Sequence, residues 1–275
     1  MKTRKHSPIS NHIPLVLSIA GADPSGGAGI QGDIKTIQAN DAFALSVITA
    51  VTAQNSVKFQ SSYNLPLRII QEQLQNLLED FQISAVKTGM LASKEIITSV
   101  AKILKKASVP NLVVDPVMRS KGQSVLLADK ALDVLKKNLT PLATLLTPNI
   151  PEAEVLIGKK IRTVSEAEKA AREISKFGCR AVLIKGGHLH ASPALDILFD
   201  GQELHYFQGD FIDTPHTHGT GCTYASAIAT QLAHGKSLKD AVAEAKHYIT
   251  EAIRYGLHIG HGRGPTDHFY FLRDK

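Results

Sequence analysis

Leu15–Ala39 reads LVLSIAGADPSGGAGIQGDIKTIQA, and LSVITAV follows at Leu45–Val51. The opening run, Leu15–Ala20, is β-rich and apolar on both faces. A glycine-rich junction comes next, then Gly29–Ala39 with apolar residues at i, i+3 and i+4, then a second apolar run. A strand apolar throughout is buried on both faces, and a helical crossover between two such strands makes them parallel. The unit repeats. Ala85–Lys87, Leu112–Val114, Ala143–Leu146 and Ala181–Ile184 read as further buried strands. Candidate helices with the same apolar spacing are Leu67–Asp80, Ser93–Lys106, Lys130–Lys137, Pro151–Ile157 and Ser165–Phe177. The expected fold is a three-layer α/β/α sandwich with a mostly parallel central sheet. Ile197–Phe199 and Glu203–Phe207 flank Asp200-Gly201, a hairpin signal that adds an antiparallel edge. Thr223–Ala233 and Leu238–Tyr255 read as closing helices, and Asn55–Pro66 as an extended, polar flap over a site. With no repeat or linker, a single domain over residues 13–275 is expected, preceded by a basic tail over residues 1–12.

The 275 residues are enough for a sizeable core, and their 43% hydrophobic and 20% charged content is that of a globular protein. Lys2, Arg4 and Lys5 of the tail account for half of the net charge of +6. The rest is dispersed, which argues against nucleic acid and leaves a weak attraction for an anionic small substrate. Cys179 and Cys222 are the only cysteines and form no CxxC, which fits a reducing cytosol and excludes a disulfide scaffold. Basic residues before Pro14–Ala20 and the Ala20-Gly21-Ala22 triplet imitate a signal peptide. The apolar stretch is too short for one, and cleavage would remove the first strand. Phe43–Ala53 is too short to span a bilayer. A cytoplasmic protein without membrane partner is expected.

Ligands of open parallel sheets bind outside the carboxyl ends of the strands. Asp23 follows the first strand here, Gln54 the second, Lys87-Thr88-Gly89-Met90 the third, Asp115 the fourth, Asn149 the fifth and Lys185 the sixth. Gly27-Ala28-Gly29-Ile30-Gln31-Gly32 matches GxGxxG, but six residues separate it from its strand and no acid lies between Asp41 and Glu72. It is therefore no dinucleotide fingerprint, and no Gly-Lys-Ser/Thr makes it a P-loop. The glycines serve either tight helix–sheet packing or close approach of backbone to a ligand, with Asp23 as polar anchor.

Gly219-Thr220-Gly221-Cys222 opens a helix, where uncovered amides and the helix dipole favour an anion. A cysteine there is expected to have a lowered pKa; the plain alternative is a small packing residue, the reading given to Cys179. Asp115 with Asn149 and Glu152 would gather the one or two carboxylates that magnesium takes beside phosphates. Glu152 alone is equally a first-turn acid favoured by the dipole. Lys185 at a strand end calls for a phosphate partner. The H-x-H pairs His188/His190 and His216/His218 are too few for zinc.

These motifs together resemble the hydroxymethylpyrimidine/phosphomethylpyrimidine kinases of thiamine biosynthesis, in the ribokinase-like superfamily. The resemblance runs from about Leu15 to His268. It rests on SIAGADPSGGAGIQGDIKT (Ser18–Thr36), ITAVTAQNSV (Ile48–Val57), KTGML (Lys87–Leu91), VVDPVM (Val113–Met118), LLTPNIPEAEVL (Leu145–Leu156), LIKGGHL (Leu183–Leu189) and THGTGCTYASAIA (Thr217–Ala229). It implies two successive phosphorylations of 4-amino-5-hydroxymethyl-2-methylpyrimidine by ATP, first to the monophosphate and then to the diphosphate. By the same resemblance Cys222 is the base for the acceptor hydroxyl, where related sugar kinases use aspartate. Gly219, Thr220 and Gly221 form the anion hole, Gln54 and Asp23 hold the pyrimidine, and Met90 and Val117 lie against its ring. Asp115 and Glu152 take the magnesium side, Asn149 and Lys185 the ATP phosphates. A homodimer is implied as well. Arg119-Ser120-Lys121-Gly122-Gln123 departs from the small, apolar run that many relatives carry after this motif. Pyridoxal kinases of the same superfamily are the alternative, but their counterparts of Ala53-Gln54-Asn55 and of Lys185–His188 differ. A non-catalytic binding module on this fold would have lost Cys222 or the carboxylates.

Overall fold

Alternate residues of the central strands enter opposite hydrophobic layers. In β1 (Leu15–Ala22), Leu17 and Ile19 join one core cluster and Val16 the other; in β5 (Leu112–Val114), Leu112 and Val114 join the first and Val113 the second. The period of two puts successive side chains on opposite faces, so a strand apolar at every position sits between two layers of helices. This is the arrangement found in the computed structural model, which describes residues 13–118, 129–187 and 194–273. The basic tail, the Arg119–Gln123 run and the His188/His190 pair lie outside the described residues.

The remaining strands are β2 (Phe43–Gln54), β3 (Phe59–Asn64), β4 (Ala85–Thr88), β6 (Leu145–Leu146), β7 (Val182–Ile184), β8 (Leu195–Phe199) and β9 (Leu204–Gln208). With β1 and β5 they form one sheet in the order β3-β2-β1-β4-β5-β6-β7-β8-β9. The pairs from β2 through β1, β4, β5 and β6 to β7 are parallel. The expected hairpin β8–β9 is antiparallel and joins β7 antiparallel. One face carries α2 (Leu67–Asp80), α3 (Lys94–Ala107), α4 (Asp129–Val134), α5 (Ile150–Ile157) and α6 (Val164–Ser175); the other carries α1 (Gly29–Ala39), α7 (Thr220–Ala233) and α8 (Leu238–Arg254).

Two details differ from expectation. The segment read as a polar flap is a β-hairpin: β2 runs on to Gln54 and β3 pairs with it antiparallel, so both edges of the sheet are antiparallel. Five of the six residues of β3 are exposed, and with only Phe59 and Tyr63 among polar residues its alternation is too weak to mark a strand. The helix expected over Lys130–Lys137 ends at Val134 and continues as a π turn, Leu135–Leu139, and a 3-10 turn, Thr140–Leu142.

β1 lies between β2 and β4, so the chain first steps to one side of β1 and later to the other. Such a switch point leaves a crevice at the carboxyl ends of the strands, and there the polar strand ends converge.

Candidate active site

The crevice is a cleft of about 910 Å³, mouth included. Asp23, Gln54, Met90, Asp115, Val117, Asn149, Glu152, Lys185, Gly219, Thr220, Gly221 and Cys222 all line it. The topology thus gathers every residue that the resemblance assigns to the site, drawn from strand ends and loops as far apart as Asp23 and Cys222.

Two glycine loops build its floor. Gly29 has φ +54°, bridges to Ala22, and would place a β-carbon 2.3 Å from the Gly21 carbonyl oxygen. Side chains rarely adopt that backbone conformation, and here none would fit. The loop between is wound around Asp23. Its Oδ1 accepts from the Ser25 amide (2.9 Å) and hydroxyl (2.7 Å), and Oδ2 from the Ala28 amide and His218 Nε2 (2.9 and 2.8 Å). A carboxylate has about four acceptor sites, so the protein itself fills those of Asp23. Burial raises its pKa, but the His218 and Ser25 bonds outweigh burial and hold the carboxyl down at about 2.

Cys222 sits in the first turn of α7, whose N-cap is Gly219. The Thr220 amide turns back toward the Thr217 carbonyl (3.4 Å), and the Thr223 amide makes the first helical bond, to Gly219 (2.9 Å). Of the four amides that open the helix, those of Gly219, Gly221 and Cys222 donate to no other described residue, so they are its open donors, whereas Thr220, also expected in the anion hole, is turned back to Thr217. A lowered pKa was expected for Cys222, and the structure corrects it. Burial is the largest influence and pushes the thiol up to about 11; Lys87 pulls it down, Asp33 and Asp115 push it further up, and a Gly29 amide bond pulls slightly down. Taking a thiolate out of water costs more than the Lys87 charge and the Gly29 amide return. Cys179, read as a packing residue, is buried with its thiol also at about 11.

On the opposite wall Lys185 Nζ lies 2.8 Å from Asp115 Oδ1, and Thr147 Oγ1 donates to the same oxygen at 3.3 Å. Lys185 forms a bridge with Asn149 alongside. Asn149 and Glu152 make a reciprocal capping box at the start of α5: the Asn149 side chain accepts from the Glu152 amide, and Glu152 from the Asn149 amide, both at 2.9 Å. Burial drives Glu152 up to about 7 with the help of Asp115, against Lys185. Two adjacent carboxylates, one held partly protonated, offer hard oxygen donors and a deficit of positive charge. That suits magnesium bound jointly with phosphate oxygens. Among the described residues, no group of three or more His, Cys, Asp or Glu is placed to hold a metal by itself. The two walls meet at Gly221, where a β-carbon would lie 3.4 Å from Lys185 Nζ and 3.8 Å from Asp115 Oδ2.

Sequence reading assigned no individual role to three groups, one of them holding Lys87 of the third strand end. His218 was weighed only as half of an H-x-H pair, yet it lines the cleft and fixes Asp23. Asp33 and Lys87 form a fully buried ion pair; a lysine closing an apolar strand was the available signal. His216, the other half of the pair, is buried and accepts a bond from the Gly264 amide at 3.1 Å.

A three-layer fold whose switch-point cleft faces a glycine-opened helix with a lysine–aspartate pair defines a class of small-molecule phosphotransferase. The chain belongs to the phosphomethylpyrimidine kinase family, whose model matches residues 23–267. It is 46% identical to the hydroxymethylpyrimidine/phosphomethylpyrimidine kinase of Streptomyces coelicolor, over 94% of this chain and 96% of that one. It is 47% identical to a thiamine biosynthesis bifunctional protein of Geobacter sulfurreducens over 94% of this chain, and spans about half (53%) of that longer protein. Among solved structures, an ADP complex of Bacillus subtilis pyridoxal kinase superposes with a TM-score of 0.89 at 38% identity, covering 96% of this chain and all of that one.

Proposed function

We propose that the protein phosphorylates 4-amino-5-hydroxymethyl-2-methylpyrimidine with ATP and then phosphorylates the product again, as a kinase of thiamine biosynthesis. The observation that carries this reading is the convergence at Gly221 of the Cys222 helix start with Lys185 and Asp115. Phosphoryl transfer asks for positioning and charge stabilisation, and these groups are a base, a fixed cation and open amides around one point. Cys222 acts as its thiolate: the thiol first loses its proton to solvent, and the sulfur then accepts the proton of the hydroxymethyl group. The freed oxygen attacks the γ-phosphorus, the bond to the β–γ bridging oxygen breaks, and ADP leaves. Lys185 and the amides of Gly221 and Cys222 meet the charge on the transferred group. Magnesium, which Asp115 and Glu152 would hold together with phosphate oxygens, supplies neutralisation of phosphate charge.

Gln54, at the end of β2, offers an amide that donates and accepts at once, matching an aminopyrimidine edge. Met90 and Val117 give the ring apolar walls. Asp23 acts by fixing the glycine loop and His218, since its own oxygens are occupied. The cysteines are unpaired, in keeping with a cytosolic enzyme, and the partners are small molecules rather than nucleic acid or membrane. A homodimer belongs to the same reading; Val51 and Tyr63, exposed cross-strand neighbours of β2 and β3, offer an apolar patch for it.

ADP release measured with the pyrimidine alcohol, its monophosphate and pyridoxal tests the assignment. Turnover on the first two with slow or no turnover on pyridoxal is expected. Preference for pyridoxal would move the protein to the vitamin-kinase neighbours that share its fold, and no ADP release with any of them would overturn the kinase reading.

A further inference from the structure

The mechanism above leaves one buried ion pair unused. Lys87 Nζ, at the end of β4, lies 2.8 Å from both carboxylate oxygens of Asp33 on α1, and neither side chain is exposed. Ser18 donates to Asp33 Oδ2 at 2.5 Å and Ser226 to Oδ1 at 2.8 Å, which fills the carboxylate's acceptor sites. A buried pair of this kind is a weak source of stability, because desolvation offsets the Coulombic gain.

Its surroundings point to a different role. Ser226 stands one turn beyond Cys222 on α7, and residues four apart share a helix face. The bond from Ser226 to Asp33 therefore ties the cysteine's side of α7 to α1. Gly89 has no side chain where one would collide with Lys87: a β-carbon there would lie 2.9 Å from Nζ. The same point is 3.0 Å from the side chain of Ala20, which lines the cleft with Cys222. The ammonium thus lies under the cleft floor at the Cys222 end, and the thiol and the ammonium act on each other electrostatically. The other charges around the thiol are Asp33 from α1, Asp115 after β5 and Lys185 after β7, with Glu152 and His218 farther along the same cleft.

We propose that Lys87 is a positioning residue for Cys222, supplying a fixed positive charge against which the thiolate forms, while Asp33 aims that charge and, through Ser226, holds the first turns of α7 beside it. The inference rests on Cys222 being the base, but its test reads the thiol and not turnover. When Cys222 ionises, its proton passes to solvent or buffer and the negative charge stays on sulfur within the field of Lys87.

The experiment is the pH dependence of iodoacetamide alkylation in a Cys179→Ser background, where Cys222 is the only thiol. Lys87→Met is expected to move the alkylation midpoint upward by about one pH unit or more, which lowers the rate at pH 8 about tenfold. Lys87→Met leaves Asp33 buried without its partner, so the double variant Lys87→Met/Asp33→Asn is the control that keeps the site neutral. It should fold as judged by circular dichroism and still show a raised, though smaller, shift. Lys87→Arg, which keeps the charge, should restore the midpoint most of the way. An unchanged midpoint in a folded double variant would overturn the proposal. If Cys222→Ala kept full turnover, the base reading would fall, whereas a midpoint shift on loss of Lys87 would still stand.

Discussion

Gly219 packs against the carbonyl oxygen of Gly27 so closely that a β-carbon at Gly219 would lie 1.7 Å from it. The contact joins the two glycine loops across almost two hundred residues of sequence and sets the start of α7 on the floor of the cleft. Gly219 also has φ +82°, a conformation that side chains rarely adopt. Gly219→Ala is therefore expected to displace the helix start, lowering turnover by two orders of magnitude or more, with a Tm loss of several degrees. Steady-state ADP release and thermal denaturation measure both. Normal turnover in this variant would mean that the loops can part without cost.

Cys222 is the next test, because its thiol sits at about 11 and little of it is ionised at neutral pH. General-base assistance contributes typically about 10²–10⁴ in rate. Cys222→Ala should lose that much in kcat while ATP affinity, measured by isothermal titration, changes little. Cys222→Asp should recover part of the loss with a flatter pH–rate profile, since an aspartate is ionised throughout the neutral range. Near-normal turnover of the alanine variant would remove Cys222 from the chemistry.

Gln54 sits at a bulge where β2 ends and pairs with Phe59 of β3. The turn between them is held at both ends. Asn55 Oδ1 accepts from the Val57 and Lys58 amides at 2.9 Å, and Ser56 accepts from the Gly262 and Arg263 amides. Since the hairpin does not depend on the Gln54 side chain, Gln54→Ala should fold normally. It should raise the Michaelis constant for the pyrimidine at least tenfold and leave that for ATP unchanged. Equal constants for the pyrimidine would sink the recognition role.

The parallel core and the cleft were legible because burial and chemistry leave local marks: unbroken apolar runs at Leu15–Ala20 and Leu112–Val114, and polar residues where those runs stop. What escaped depends on distance in sequence. β3 carries too weak an apolar alternation, so only its ladder with β2 reveals it. The Asp33–Lys87 pair needs the β1–β4 and α1–α7 contacts before either residue has a partner. The Cys222 pKa went the other way from the local reading because a helix N-terminus is visible in sequence, whereas the burial that overrides it is not.

Glu152 makes the pH dependence of stability a test of the phosphate wall. Its carboxyl is raised from an ordinary 4.5 to about 7, chiefly by burial. A raised carboxyl favours the folded state in its protonated form. That contribution is complete below about pH 4.5, fades as pH rises, and is gone above about 7. Glu152→Gln keeps an oxygen to accept the Asn149 amide but carries no charge. The Tm of the variant should match or trail wild type at pH 4.5 and exceed it at pH 8, by an amount corresponding to at most about 3 kcal/mol. Magnesium with a non-hydrolysable ATP analogue should reverse the order at pH 8, because a bound cation favours the ionised carboxylate. If the Tm difference were the same at both pH values, burial would not be holding the proton on Glu152. If magnesium and nucleotide stabilised both proteins equally, Glu152 would have no part in holding the cation.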